Sequence, residues 1–146
     1  MNPFFIVGPT ATGKSELAAE LACQFGAEIV SADAFQIYRG LDLLVAKPDE
    51  STLAKAPHHL LSVMPLSEEM NVEKFRVLAG RALQDIAARG KSAIVVGGSG
   101  FYIKSLTHGL ARLPAANAAL RKELDQARSE VSRLEGQLGK KAGSRR

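Results

Sequence analysis

Apolar and polar positions change their period several times along the chain. A short unbroken apolar run, Pro3 to Val7 (PFFIV), stops at Gly8 and predicts a parallel strand buried on both faces. After a Gly-rich stretch, Leu17, Ala18, Leu21, Ala22 and Phe25 recur at helical spacing, and Gly26 offers a stop, so residues 16–25 predict a helix. Ala27 to Ser31 (AEIVS) predicts a second strand. Residues 40–58 are mixed and polar, hold Pro48 and Pro57, and predict a long loop; Leu60 to Met64 (LLSVM) predicts a third strand. Asn71 suits the N-cap of a one-faced helix carrying Val72, Phe75, Ala79, Ala82, Leu83 and Ile86, closed by Gly90. Ser92 to Val96 (SAIVV) predicts a further buried strand, glycines 97, 98 and 100 a turn, and residues 101–108 a helix.

Strands alternating with helices predict an α/β fold, a parallel sheet with helices on both faces. Ligands of such sheets bind beyond the carboxyl ends of the strands. Residues 8–15, Asp33 and residues 97–100 all fall there, each after a different strand. From Leu113 the pattern changes. Leu120, Leu124, Ala127, Val131, Leu134 and Leu138 step by four and three, a heptad seam of under three repeats that suits a helix on its own domain at least as well as a dimer zipper. Gly136 and Gly139 weaken its end, and residues 140–146 read as a disordered basic tail. The chain thus divides into a core at 1–112, a helical segment at 113–139 and that tail.

Composition narrows the class. With 46% hydrophobic and 23% charged residues in 146, the chain has material for one cored globular domain. Its single cysteine, Cys23, excludes a disulfide framework, fits a reducing cytoplasm, and by its place in the first helix is expected in the core. No charged stretch precedes the apolar start, so a signal peptide is not expected, and no apolar run nears the roughly 20 residues of a membrane span. The net charge of +4 is uneven: from Arg112 onward nine basic and four acidic residues give a local +5. The simplest reading of that excess is a solvated terminus, although basic tails also attract nucleic acid.

The chemistry starts at Gly8-Pro9-Thr10-Ala11-Thr12-Gly13-Lys14-Ser15, which matches G-x-x-x-x-G-K-[ST] between a predicted strand and a predicted helix. Backbone N–H groups of such a loop turn onto phosphate oxygens, and the helix N-terminus adds positive potential. Lys14 would neutralise the terminal phosphates, and the Ser15 hydroxyl would hold Mg²⁺. Motor-type P-loop proteins carry a second strand ending in a metal-binding acid. Here Ser92 to Val96 runs instead into Gly97-Gly98-Ser99, and the nearest carboxylate is Asp33. Asp33 is therefore a candidate for work on the reacting substrate; the plainer reading makes it a loop cap. His58 and His59 follow a proline, and neighbours in an extended chain point apart, so a structural role is expected of them.

GPTATGKS (8–15), SADAFQIYRGLD (31–42), AKP (46–48), PHHLL (57–61) and VGGSGFYIKSL (96–106), in this order, resemble the tRNA dimethylallyltransferases, or tRNA isopentenyltransferases, from about residue 4 to about residue 126. The resemblance implies a kinase-like P-loop fold. It implies transfer of a dimethylallyl group from its diphosphate to N6 of an adenosine near the tRNA anticodon, with Mg²⁺, in the cytoplasm. Thr10 to Ser15 would then bind the isoprenoid diphosphate, a site often labelled for ATP. Asp33 would receive the N6 proton. Asp33, Ala34, Phe35, Gln36, Ser99 and Arg121 would lie against the tRNA, with Ser99 also at the reacting centre. Phe35 and Tyr102 are each either stacking faces for a base or core residues. The family usually has serine at Ala34, threonine at Val45 and threonine at Ser99.

Family chains continue well past residue 126, through a helical insertion and a second half that grips tRNA. The last twenty residues here match nothing familiar in them, so a shortened N-terminal portion is expected, monomeric, binding diphosphate weakly and modifying little or no tRNA alone. Three other readings stay open. One is an adenylate isopentenyltransferase acting on a free nucleotide. Another is a small-molecule kinase, for which no arginine-bearing lid is visible. The last is a non-catalytic phosphate-binding module that dimerises through its C-terminal helix.

Overall fold

The computed structural model describes residues 2–42, 45–111 and 118–143. It contains strands β1 (Phe4–Val7), β2 (Glu28–Ser31), β3 (His58–His59) and β4 (Ala93–Gly97), which pair in parallel in the order β1-β4-β2-β3. Helices α1 (Lys14–Phe25), α2 (Glu50–Leu53), α3 (Val72–Ala88) and α4 (Gly100–Thr107) connect or follow them, and α5 (Ala118–Gly143) comes last. The expected α/β architecture is thus present.

Side-chain alternation on the two central strands builds two cores. Val30 and Val95 turn to one face and pack with Phe75, Ala79 and Ile86 of α3 and Tyr102 of α4. Ile29, Ile94 and Val96 turn to the other and meet Ala18, Ala19 and Ala22 of α1. The alanines of α1, almost wholly buried, keep that helix close to the sheet. Tyr102 stacks on Phe75 at 4.2 Å between centroids, which settles it as a core residue.

The helix signals act as the sequence implies. Gly26 caps α1 in the left-handed region (φ 63), and the Asn71 side chain accepts from the Lys74 N–H at 2.9 Å to open α3.

Several expectations are corrected. β1 is an edge strand, paired only with β4 among the described residues, and Phe4, Phe5 and Val7 are exposed rather than buried. The third strand is His58–His59, not Leu60 to Met64; Leu60 (φ 58) and Ser62 (φ 54) take left-handed conformations that end the extended run. The long loop contains α2, opened by Asp49, whose carboxylate accepts from the Thr52 N–H at 2.8 Å. Cys23 is exposed, not in the core.

Residues Ala111–Arg146 form a second unit, described by itself. Its helix α5 continues to Gly143, so residues 140–143 are helical where a disordered tail was expected; residues 112–117 and 144–146 lie outside the described residues. The seam residues Leu120, Leu124, Val131 and Leu134 are exposed.

Candidate active site

The register of the sheet gathers the candidate residues. Val7 pairs with Gly97 and Ser31 with Val96, so three parallel strands end at one edge and release residues 8–13, 32–36 and 98–99 beside one another. The approach there is close. Ala32 N–H donates to the Val96 carbonyl at 2.8 Å, and a Cβ on Gly97 would lie 2.2 Å from the Ala32 carbonyl oxygen. Only glycine fits that position.

The phosphate loop wraps the start of α1. Ala11 (φ 63) and Gly13 (φ 77) take left-handed conformations, and Leu17 N–H donates to the Gly13 carbonyl at 3.0 Å to close the first turn. Thr12 Oγ1 donates to the Pro9 carbonyl at 2.9 Å. The Lys14 ammonium bonds the same Pro9 carbonyl and reaches Thr12 Oγ1 at 3.3 Å. A cavity of about 310 Å³ opens beside this loop. Residues 10–16 line it, together with Asp33, Gln36, residues 46–49, Thr52 and residues 96–98. Lysine, hydroxyls and helix-start amides thus share one concavity with a carboxylate, an arrangement suited to an anionic, phosphate-bearing ligand.

Asp33 has both of the roles considered for it within reach. Its Oδ1 accepts the N–H groups of Phe35 at 2.9 Å and Gln36 at 3.2 Å, a local cap of the turn that follows. No hydrogen bond engages its Oδ2 among the described residues. Ser99 Oγ accepts the Ala34 N–H at 3.0 Å and so ties the loop after β4 to the loop after β2. Gln36 bridges two segments: its Oε1 accepts from Ser31 Oγ at 3.3 Å, and its Nε2 donates to the Ala46 carbonyl at 3.1 Å. Phe35 is exposed, its ring free of the core. Arg121 lies on α5 in the second unit.

Several cavity residues carried no role in the sequence. AKP (46–48) is a marker of resemblance there, yet Ala46, Lys47 and Pro48 form a wall of the cavity. Asp49 and Thr52 join them through α2, whose signal, an Asp three residues before a Thr after a proline, is legible as an N-cap. Hydrogen bonds from Thr52 and Ser51 hold the Asp49 carboxyl below the usual range.

A separate ionic cluster sits at the opposite end of β2. Buried Glu28 accepts from His59 Nε2 at 2.7 Å and from Arg89 at 2.6 Å, with Lys91 at 3.3 Å. Burial alone would raise its pKa, but the bonds from His59, Arg89 and Lys91 outweigh it and bring it down to about 2. His58 Nδ1 pairs with the Ala56 carbonyl at 2.8 Å, and burial lowers its pKa. Neither histidine is among the residues that line the cavity. Among the described residues no helix is long and apolar enough to cross a membrane, and no group of three or more His, Cys, Asp or Glu is placed to hold a metal ion.

Comparison with known proteins gives the family of the chain. The family model described as IPP transferase matches residues 36–142. This chain belongs to the IPP transferase family. The match extends to residue 142, so the helical tail set apart at residue 126 in the sequence falls inside it. A tRNA dimethylallyltransferase of Anaeromyxobacter sp. (strain Fw109-5) is 47% identical over 134 residues, which cover 91% of this chain and 45% of that protein. The tRNA isopentenylpyrophosphate transferase of Bacillus halodurans superposes with a TM-score of 0.74 at 33% identity, over 95% of this chain and 47% of that one. A eukaryotic dimethylallyltransferase solved acting on tRNA gives a TM-score of 0.73 at 31% identity, over 84% of this chain and 31% of that one. The chain therefore spans less than half the length of these relatives.

Proposed function

We propose that this chain carries the phosphate-loop portion of a tRNA dimethylallyltransferase, a prenyltransferase that modifies tRNA. The observation that carries the reading is the shared cavity: the Lys14 loop and Asp33 line the same 310 Å³ space from two different strands. Relatives named for this reaction support it.

In this reading residues 8–15 bind the diphosphate of dimethylallyl diphosphate. A diphosphate oxygen replaces the Pro9 carbonyl as partner of the Lys14 ammonium, while loop amides and the start of α1 take up the rest of the charge. The exocyclic N6 of adenosine attacks C1 of the dimethylallyl group. The C1–O bond breaks, and the diphosphate leaves with the electron pair. The N6 proton passes to Asp33, whose Oδ1 is anchored and whose Oδ2 is open to receive it. Ser99 fixes the Ala34 backbone beside Asp33. Phe35, exposed beyond the cap, offers a stacking face to a base drawn out of its stack. Ala34, Gln36 and Ser99 complete the tRNA-facing set of this unit, and Arg121 is a separate tRNA contact on α5.

A divalent ion such as Mg²⁺ suits the oxygen donors of this cavity. The Ser15 hydroxyl has no hydrogen bond among the described residues, and Mg²⁺ needs few protein ligands where phosphates supply the others. Bound there, it would add positive charge against the leaving diphosphate.

The test is a pair of variants. Lys14→Ala is expected to abolish binding of dimethylallyl diphosphate, and Asp33→Asn to keep binding while removing transfer. A measurable transfer rate of the chain left unchanged in Asp33→Asn refutes the proposed base.

One observation favours a second reading. The seam of α5 is exposed at four apolar positions, as a helix that associates with a partner helix would require. Concentration-dependent dimerisation, lost in Leu124→Asp plus Leu134→Asp, would support a binding module over a monomeric enzyme.

A further inference from the structure

Lys47 is a buried cation that the proposed reaction leaves unused. Its side chain is 7% exposed, and its ammonium donates to the Tyr38 carbonyl at 2.5 Å, to Asp42 Oδ1 at 2.7 Å and to Ser62 Oγ at 2.7 Å. An ammonium has three N–H donors, and all three are taken. Lys47 therefore lines the cavity without a donor to spare for a phosphate.

Its neighbours show where the clamp acts. Ala46 takes a left-handed conformation (φ 45), costly for a residue with a Cβ and sustained only by its surroundings. The Ala46 carbonyl accepts the Gln36 Nε2–H at 3.1 Å, and the Gln36 backbone N–H donates to Asp33 Oδ1 at 3.2 Å. An unbroken path of covalent and hydrogen bonds thus runs from Lys47 through Ala46 and Gln36 to the Asp33 carboxylate. At the other end of the clamp, Ser62 is also left-handed (φ 54), and Arg39 holds its carbonyl at 3.1 Å.

We infer that Lys47 is a positioning residue: its buried ammonium locks the left-handed turn at Ala46, and that turn holds Gln36 and, through it, Asp33 at the cavity. The inference rests on the role proposed for Asp33.

The test joins amide exchange with calorimetric titration by inorganic pyrophosphate in Mg²⁺. In Lys47→Met, exchange at the Phe35 and Gln36 amides is expected to quicken about tenfold or more, while the Val30 and Val95 amides keep their protection. Pyrophosphate affinity should change by less than about threefold. Gln36→Leu should quicken the same two amides, and adding Lys47→Met to it should do nothing further, because the two act in series. Lys47→Arg should resemble Lys47→Met, since a planar fork cannot reproduce three converging bonds. Unchanged exchange at Phe35 and Gln36 overturns the clamp. Loss of pyrophosphate binding with protection intact also overturns it, by making Lys47 a direct ligand. Should Lys47→Met not fold, Ser62→Ala removes one of the three acceptors and should quicken the same amides to a lesser degree; no change there contradicts the inference. Lys14→Ala separates the two readings. If it still binds pyrophosphate, the phosphate site fails, while the clamp is judged on exchange alone.

Discussion

The Ala32 carbonyl oxygen occupies the place where a side chain on residue 97 would have to start, 2.2 Å from an ideal Cβ. Both sides of that contact are backbone, so neither can move without breaking the β2–β4 pairing. Gly97→Ala should cost about 3 kcal/mol in urea unfolding and weaken pyrophosphate binding with it. Glu28 gives a different residue-scale expectation. Its pKa is lowered from 4.5 to about 2, so its stabilising contribution is fully present above pH 4.5 and is lost as pH falls toward 2. Acid titration of the unfolding midpoint should show wild type losing stability faster than Glu28→Gln across that window. At pH 7 the variant should be weaker by about 1–3 kcal/mol. A pH profile identical in the two proteins would show that the cluster with His59, Arg89 and Lys91 does not stabilise the charged form.

Elements whose signals are local form where the sequence puts them. The Asn71 cap and the three-and-four spacing from Val72 to Ile86 define α3 without help from the rest of the chain. Asn71→Ala should cost about 1 kcal/mol, measured by denaturant unfolding. Elements that depend on what lies beside them are less legible. Phe4–Val7 is as apolar as a central strand, and nothing in four residues tells which neighbours will flank it; its exposure becomes evident only from the sheet order. Leu60 to Met64 has the composition of a strand, yet the backbone turns left-handed at Leu60 and Ser62, where Lys47 and Arg39 from distant sequence hold the Ser62 hydroxyl and carbonyl. Cys23 sits among apolar helical positions, but the small alanines 18, 19 and 22 define the buried stripe and leave it outside.

At the scale of the molecule, parallel pairing brings three loops to one edge, and that juxtaposition creates the cavity. The phosphate loop and Asp33 were legible as candidates because each follows a strand whose end the topology fixes. The wall formed by Ala46, Lys47 and Pro48 was not, since it depends on a bond donated by Gln36 and on bonds that Lys47 donates to Tyr38 and Ser62, which no local pattern encodes. The family match begins at Gln36, takes in the 46–48 wall and runs on into α5. What the cavity accepts is the central claim. Its most direct test is calorimetric titration of the chain with dimethylallyl diphosphate in Mg²⁺, against ATP as the competing ligand. Preferential binding of the isoprenoid diphosphate, abolished by Lys14→Ala, is the predicted result. Preferential binding of ATP, or undiminished diphosphate binding in Lys14→Ala, would contradict it.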